Sequence, residues 1–268
     1  MASPSTTVTW SESVSVESFR GPAEEWDDFV RRQAGWAHPH LYGWRSILED
    51  VHGHDTRYLA ARSEDGELRG VLPLVRVKSL VFGHYLMSMP FLNYGGPLGD
   101  DRAVGELLGR ATGMAEDEGA DLLELRSRRA LETDLPVSHR KIAVTLDLPD
   151  DDPEILWDGL DSKVRSQVRR PRKEGVEVRF GADQVGAFFD VFSTHMRNLG
   201  TPTQPRELFE RISTTFGDDA WFGCAWLEEK PIACGCGLVG SDEVEMAWAS
   251  DLFAYRKIAP NMLLYWSV

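Results

Sequence analysis

Trp221-Phe222-Gly223-Cys224-Ala225-Trp226-Leu227, then Glu228-Glu229-Lys230-Pro231, then Ile232-Ala233-Cys234-Gly235-Cys236-Gly237-Leu238-Val239 read as a strand, a tight turn and a returning strand. Val244 to Ser250 reads as a third strand, Asp251 to Ala259 as a loop, and Pro260 as the start of a helix. The same order stands earlier in the chain. Arg57 to Ala61 is a predicted strand, Glu64 to Glu67 a turn, Gly70 to Val77 its partner and Tyr85 to Pro90 a third strand. A glycine loop at Asn93 to Pro97 then leads into a helix over 102–119, and Leu122 to Arg126 returns as a strand. Two helices precede each copy: Pro22 to Ala34 and Leu41 to Val51 before the first, Gln184 to Asn198 and Gln204 to Phe216 before the second. One unit thus occurs twice, with little residue identity between copies. The fold class expected is α+β.

The first copy continues past its helix into a further strand, whereas the sequence stops at Val268 inside the second copy's helix. A sheet lacking that strand has an open edge, so the reading favours a second unit cut short. Pro149-Asp150-Asp151-Asp152-Pro153 is short, acidic and bracketed by prolines, as an exposed link would be. The expected division is a disordered tail over 1–9, a first domain over 10–149 and a second over 150–268.

Composition narrows the function classes. The 268 residues are 42% hydrophobic and 27% charged, as in globular domains. No apolar run approaches the roughly 20 residues that span a bilayer, and Met1 to Val8 lacks the features of a secretion signal. The three cysteines are too few and too clustered for a disulfide framework. Cys234 and Cys236 alternate on a buried strand as small hydrophobes, which suits a reducing, cytoplasmic setting. The pairs His38/His40 and His52/His54 lack a partner cluster at ligand spacing, so no metal is expected. No nucleophile elbow, Walker loop or dinucleotide fingerprint is present.

The net charge of −14 repels nucleic acid unless cations gather locally, and they do. Lys163, Arg165, Arg169, Arg170, Arg172 and Lys173 fall within one short segment. On a helix Arg165 and Arg169 lie one turn apart, a fork suited to a diphosphate, and Pro171 is expected to end or kink that helix. The alternative is a solvated cationic helix making surface ion pairs. His195 shares a helical face with Phe188, Phe192 and Leu199, the pattern of a core histidine. Asn198-Leu199-Gly200-Thr201-Pro202 reads as a glycine-capped helix end.

Three collinear stretches carry a family resemblance. They are Gly70 to Leu74 with Phe82-Gly83 and Met89 to Gly96; Ser162 to Gly175; and His195 to Pro202 with Asp251 to Leu264. Together they resemble the FemAB-type transferases, in particular members associated with exopolysaccharide and exosortase systems. The resemblance implies two GNAT-like (acyl-CoA N-acyltransferase-like) domains in tandem. It implies transfer of an acyl or aminoacyl group to an amine of a cell-envelope or exopolysaccharide precursor, by direct attack in a cleft between the domains. The donor would be acyl-CoA or aminoacyl-tRNA, the latter disfavoured by the net charge, and the acceptor a small-molecule, lipid-linked or nucleotide-linked precursor.

On that footing Lys163, Arg165, Arg169, His195, Asn198 and Thr201 are expected to bind substrate. In the loop Tyr255 to Asn261, Arg256, Lys257 and Asn261 are expected to hold the donor, with Pro260 in the first helical turn. The glycines of an acyl-CoA loop are missing there, so a helix start with two exposed cations stays open. A general base is not assigned. The competing reading is a non-catalytic binding or assembly module that keeps the tandem fold.

Overall fold

The computed structural model describes residues 13–79, 81, 83–149 and 152–268. The tail expected over 1–9, Phe82 of the first resembling stretch, and Asp150 and Asp151 of the acidic link lie outside them. The chain divides into two compact units, one ending at Thr133 and the other starting at Asp134.

In the first unit β1 (Val14–Ser18) is followed by α1 (Ala23–Arg32) and α2 (Trp44–His52), then β2 (Asp55–Ser63), β3 (Leu68–Ser79), β4 (Gly83–Met87) and β5 (Leu98–Gly99). The helix α3 (Asp101–Asp117) and β6 (Leu122–Glu124) complete it. The sheet runs β1-β2-β3-β4-β6, with β5 paired to β3. Its pairings are antiparallel apart from β4 with β6, which is parallel. Leu59, Ala61, Leu72, Leu74 and Leu86 on one face bury against Ala103, Leu107 and Ala111 of α3. An aromatic cluster of Phe19, Trp26, Tyr42 and Tyr58 ties α1 to β2.

The break at His38-Pro39-His40 is a buried clamp. Nδ1 of His40 accepts from the Ala37 N–H at 3.0 Å, and its Nε2–H donates to the Gly96 carbonyl at 2.9 Å. The Trp26 indole N–H donates to the His40 carbonyl at 2.7 Å. Burial lowers the His40 pKa to about 4, so the ring is held neutral. Gly96 is small because a Cβ there would meet the backbone of Arg126 and Ser127 at 3.0 Å.

The second unit comprises α4 (Pro153–Gly159), α5 (Ser162–Lys173), β7 (Val176–Phe180), α6 (Val185–Leu199), α7 (Arg206–Phe216), β8 (Ala220–Leu227), β9 (Lys230–Val239), β10 (Val244–Asp251), a 3₁₀ segment over Phe253–Ile258, and α8 (Pro260–Trp266). Its antiparallel sheet runs β10-β9-β8-β7. Phe188, Phe192 and Phe209 of α6 and α7 meet Phe222 and Trp248 on one face. Val168 of α5 and Leu263 of α8 pack with Ala225 and Ala233 on the other.

The Cys-Gly alternation of β9 explains both layers, because successive strand residues point to opposite faces. Cys234 stands opposite Cys224, whose thiol donates to the Gln184 carbonyl at 3.8 Å on the α6 side. Burial raises all three thiols, Cys224 to about 12, so they stay protonated and act as small apolar groups. The glycines face α8 instead. A Cβ on Gly223 or Gly235 would lie 3.3 or 3.2 Å from the Leu264 side chain, and one on Gly237 would strike the Trp221 ring at 2.1 Å.

The repeat therefore stands: four antiparallel strands with two helices between the first and second and another helix after the fourth. Three expectations change. Each copy of the repeat opens with an edge strand, β1 or β7, that the sequence reading missed. The third strand of the first unit starts at Gly83 and ends at Met87, because Met89 and Phe91 take left-handed backbone conformations (φ 50° and 71°) that no strand continues. And Pro171 neither ends nor marks the limit of α5. It sits in the last turn, where only one intrahelical bond is forfeited, and the helix closes two residues later against Gly175 at φ 84°.

Candidate functional site

The end of β10 and the start of the following loop gather the polar chemistry of the second unit. Phe188 and Phe192 fix α6 over the sheet, which brings His195, three residues beyond Phe192, to the last residue of β10. The α6 C-terminus then closes in a glycine cap: Gly200 is left-handed (φ 67°), and the Gly200 and Thr201 N–H groups donate to the Arg197 and Met196 carbonyls at 3.1 and 3.0 Å.

At the strand end the Asp251 backbone N–H donates to His195 Nδ1 at 3.2 Å. The Asp251 carboxylate accepts from Arg256 Nε at 2.8 Å, and Arg256 Nη2 lies 3.5 Å from His195 Nε2. The Arg256 guanidinium lies 3.8 Å over the Phe253 ring, and that ring stands edge-on to His195 at 5.3 Å. Four residues thus close a loop. The side chains of His195 and Asp251 are 13% and 14% exposed while Arg256 is 49% exposed, so the cluster is fixed from below and open at the arginine.

His195 and Arg256, expected to serve acceptor and donor separately, come together here. Asp251 and Phe253 were not singled out from sequence. A carboxylate ending an apolar strand with an arginine five residues on was the available signal. Of the remaining expected residues, Asn198 and Thr201 are exposed at the helix end, and Lys257 and Lys163 are exposed. Asn261 stands in the first turn of α8 with its side-chain oxygen buried and without a hydrogen-bond partner among the described residues.

The basic helix is engaged in its own unit. Arg165 donates to the carbonyls of Trp157, Asp158 and Leu160 at 3.3, 3.0 and 2.8 Å, capping the C-terminal end of α4. Arg169 lies over the Trp157 ring at 4.8 Å, next to the carbonyls that Arg165 caps. Arg170 reaches the candidate site's loop, donating to the Lys257 carbonyl at 2.8 Å. Arg165→Ala is accordingly expected to cost about 1–3 kcal/mol, since the arginine is a charged donor to carbonyls that would be left without it. Faster amide exchange across Pro153–Gly159, with exchange in β8 and β9 unchanged, is the measurement that checks it.

Residues 162–268, which hold every member of the cluster, match the family described as the acetyltransferase (GNAT) domain. That match spans most of the second unit, from α5 onward. Within curated proteins, the chain is similar to UDP-N-acetylmuramoylpentapeptide-lysine N(6)-alanyltransferase of Weissella viridescens, at 28% identity over 102 residues. That match covers 37% of this chain and spans only 30% of the length of the relative. Among solved structures, FemX is similar at a TM-score of 0.64 and 15% identity over 94% of this chain and 84% of that one. A conserved protein of unknown function from Bacteroides thetaiotaomicron is similar at 0.50 and 14% identity, with the same coverage. At these identities the structural likenesses speak to fold alone, and the likeness to FemX extends well beyond residues 162–268. Among the described residues no group of three or more His, Cys, Asp or Glu side chains is placed to hold a metal ion, and no helix is long and apolar enough to cross a membrane.

Proposed function

We propose that this chain transfers an acyl or aminoacyl group to an amine of a cell-envelope precursor, by direct attack of the amine on the donor's carbonyl carbon. One observation carries the reading: the stretch matching the GNAT family is the one that builds the His195–Asp251–Arg256 cluster at the exit of its central sheet. Positioning two reactants and stabilising an oxyanion is most of what such a reaction needs. The Weissella relative is named for alanyl transfer to the lysine N6 of a UDP-N-acetylmuramoylpentapeptide, which makes a peptidoglycan precursor the acceptor of choice here and an exopolysaccharide precursor the alternative. Arg256, Lys257 and Asn261 face the donor in this reading, and His195, Asn198 and Thr201 the acceptor. The setting is the cytoplasm, in keeping with three buried free thiols.

The test incubates the chain with acetyl-CoA or with alanyl-tRNA, each with UDP-N-acetylmuramoylpentapeptide. Product is followed as a mass gain on the acceptor. Mass gain with one donor identifies it. No gain with either, while a precursor still binds, leaves the fold as a binding module and defeats the transfer reading.

A further inference from the structure

Resting on the transfer reading above, we propose that the Nε2–H of His195 and the guanidinium of Arg256 form a two-donor cradle for the carbonyl oxygen of the acyl donor, with Asp251 as their positioning residue.

The backbone decides which nitrogen of His195 carries the proton. The Asp251 N–H fills the Nδ1 lone pair at 3.2 Å, so a neutral ring holds its hydrogen on Nε2. His195 therefore presents a donor to the site and not a base. Against that nitrogen stands another donor, Arg256 Nη2, at 3.5 Å. Two N–H groups cannot satisfy each other. An oxygen at about 2.9 Å from both nitrogens satisfies them together.

Charge selects the kind of oxygen. The Asp251 carboxylate, 2.8 Å from Arg256 Nε, balances the guanidinium. A phosphate would bring close to two negative charges beside that carboxylate with no free cation of the cluster to meet them. A carbonyl oxygen enters uncharged and becomes negative only as the tetrahedral intermediate forms. Donors fixed beforehand bind that charge more tightly than the ground state, which is what accelerates a reaction. Phe253 bears on both donors, with the guanidinium 3.8 Å over its ring and the imidazole edge-on at 5.3 Å. The half-exposed side of Arg256 leaves the donor a way in.

The step closes on its own atoms. The acceptor amine's lone pair forms the N–C bond while the C=O π pair moves onto oxygen, where His195 and Arg256 hold it. That pair then re-forms the carbonyl, and the C–S or C–O bond to the donor's carrier breaks. The carrier leaves with the bonding pair and ends with the proton lost from the amine nitrogen.

Two measurements on the full chain test this. Long-range ¹H–¹⁵N correlation of the His195 ring is expected to show the Nε2–H tautomer at pH 8; the Nδ1–H tautomer would overturn the cradle outright. In transfer assays with acetyl-CoA and with alanyl-tRNA, His195→Ala is expected to lower kcat about 100- to 1,000-fold with KM changed little. His195→Gln, whose amide keeps an N–H donor, is expected to recover most of that loss and leave the shape of the pH profile intact. If His195→Ala keeps its kcat, or the Gln variant loses a limb of the pH profile as a missing base would, the cradle is wrong while the transfer reading survives. If the wild-type chain turns over neither donor, both fall.

Discussion

Phe209→Ala is expected to lower the unfolding free energy of the chain by about 4 kcal/mol, the usual cost of deleting a fully buried aromatic ring. Phe209 has no solvent exposure. Its ring meets Phe188 at 4.8 Å and Phe192 at 5.3 Å on α6, and Trp248 at 5.5 Å on β10. Edge-to-face pairs of this kind add to the burial term, and a cavity among four aromatic neighbours, with Phe189 the fourth at 6.2 Å, has little means of collapsing. The effect reaches function because α6 carries His195 and β10 carries Asp251. A gap between these elements weakens the 3.2 Å bond that sets the imidazole tautomer. Phe209→Leu, which conserves most of the volume, is expected to cost no more than about 1.5 kcal/mol. Urea unfolding of both variants checks this, and a loss under about 1 kcal/mol for the alanine variant would remove Phe209 from its place as the hub.

The second large effect is a loss of stability in mild acid. His40 has a folded pKa of about 4 against an ordinary value of 6.5. Above pH 6.5 the ring is neutral in both folded and unfolded chains and contributes no pH dependence. As pH falls below that, the unfolded chain takes up a proton that the folded clamp refuses, so stability declines until the folded ring itself protonates near pH 4. The integrated loss is about 3 kcal/mol. Burial also lowers His52 and His54, which adds a slope of the same sign. The comparison that isolates the clamp is therefore His40→Gln, a neutral donor throughout, whose stability between pH 7 and pH 4 is expected to fall less than the wild type's by about that amount. Native-state hydrogen exchange of the β2 and β3 amides reads it in the first unit directly. Equal slopes in variant and wild type would show that His40 is not the group responsible.

Much of the fold was legible because its signals are local. The alternation of Cys234-Gly235-Cys236-Gly237 carried the strand and its two unlike faces, and the turn residues at Glu64 to Glu67 and Glu228 to Pro231 carried the hairpins. β1 and β7 were not legible. Five residues such as Val14-Ser15-Val16-Glu17-Ser18 alternate too weakly to declare a strand until a partner edge is supplied by β2. The site divided in the same way. His195 and Arg256 were found by residue type and resemblance, but their meeting is a contact across 61 positions of sequence. Arg165 and Arg169 have the spacing of a fork, yet the carbonyls and indole of α4 claim them first. Spacing along one helix says which side chains share a face and nothing about what that face will meet.

Leu264 rests on the bare backbone of Gly223 and Gly235. The two glycines work as a gauge block under α8: their lack of side chains sets the height at which the helix rides over the sheet. The loop that delivers Arg256 is joined to that helix through Ala259, so its height is set by the same block. One methyl group inserted at Gly235 would crowd the Met246 sulfur at 3.0 Å and the Leu264 side chain at 3.2 Å, and whichever yields alters the seat of α8 with every residue of the cluster still in place. The separation of the two donors is thus dimensioned by atoms the chain leaves out.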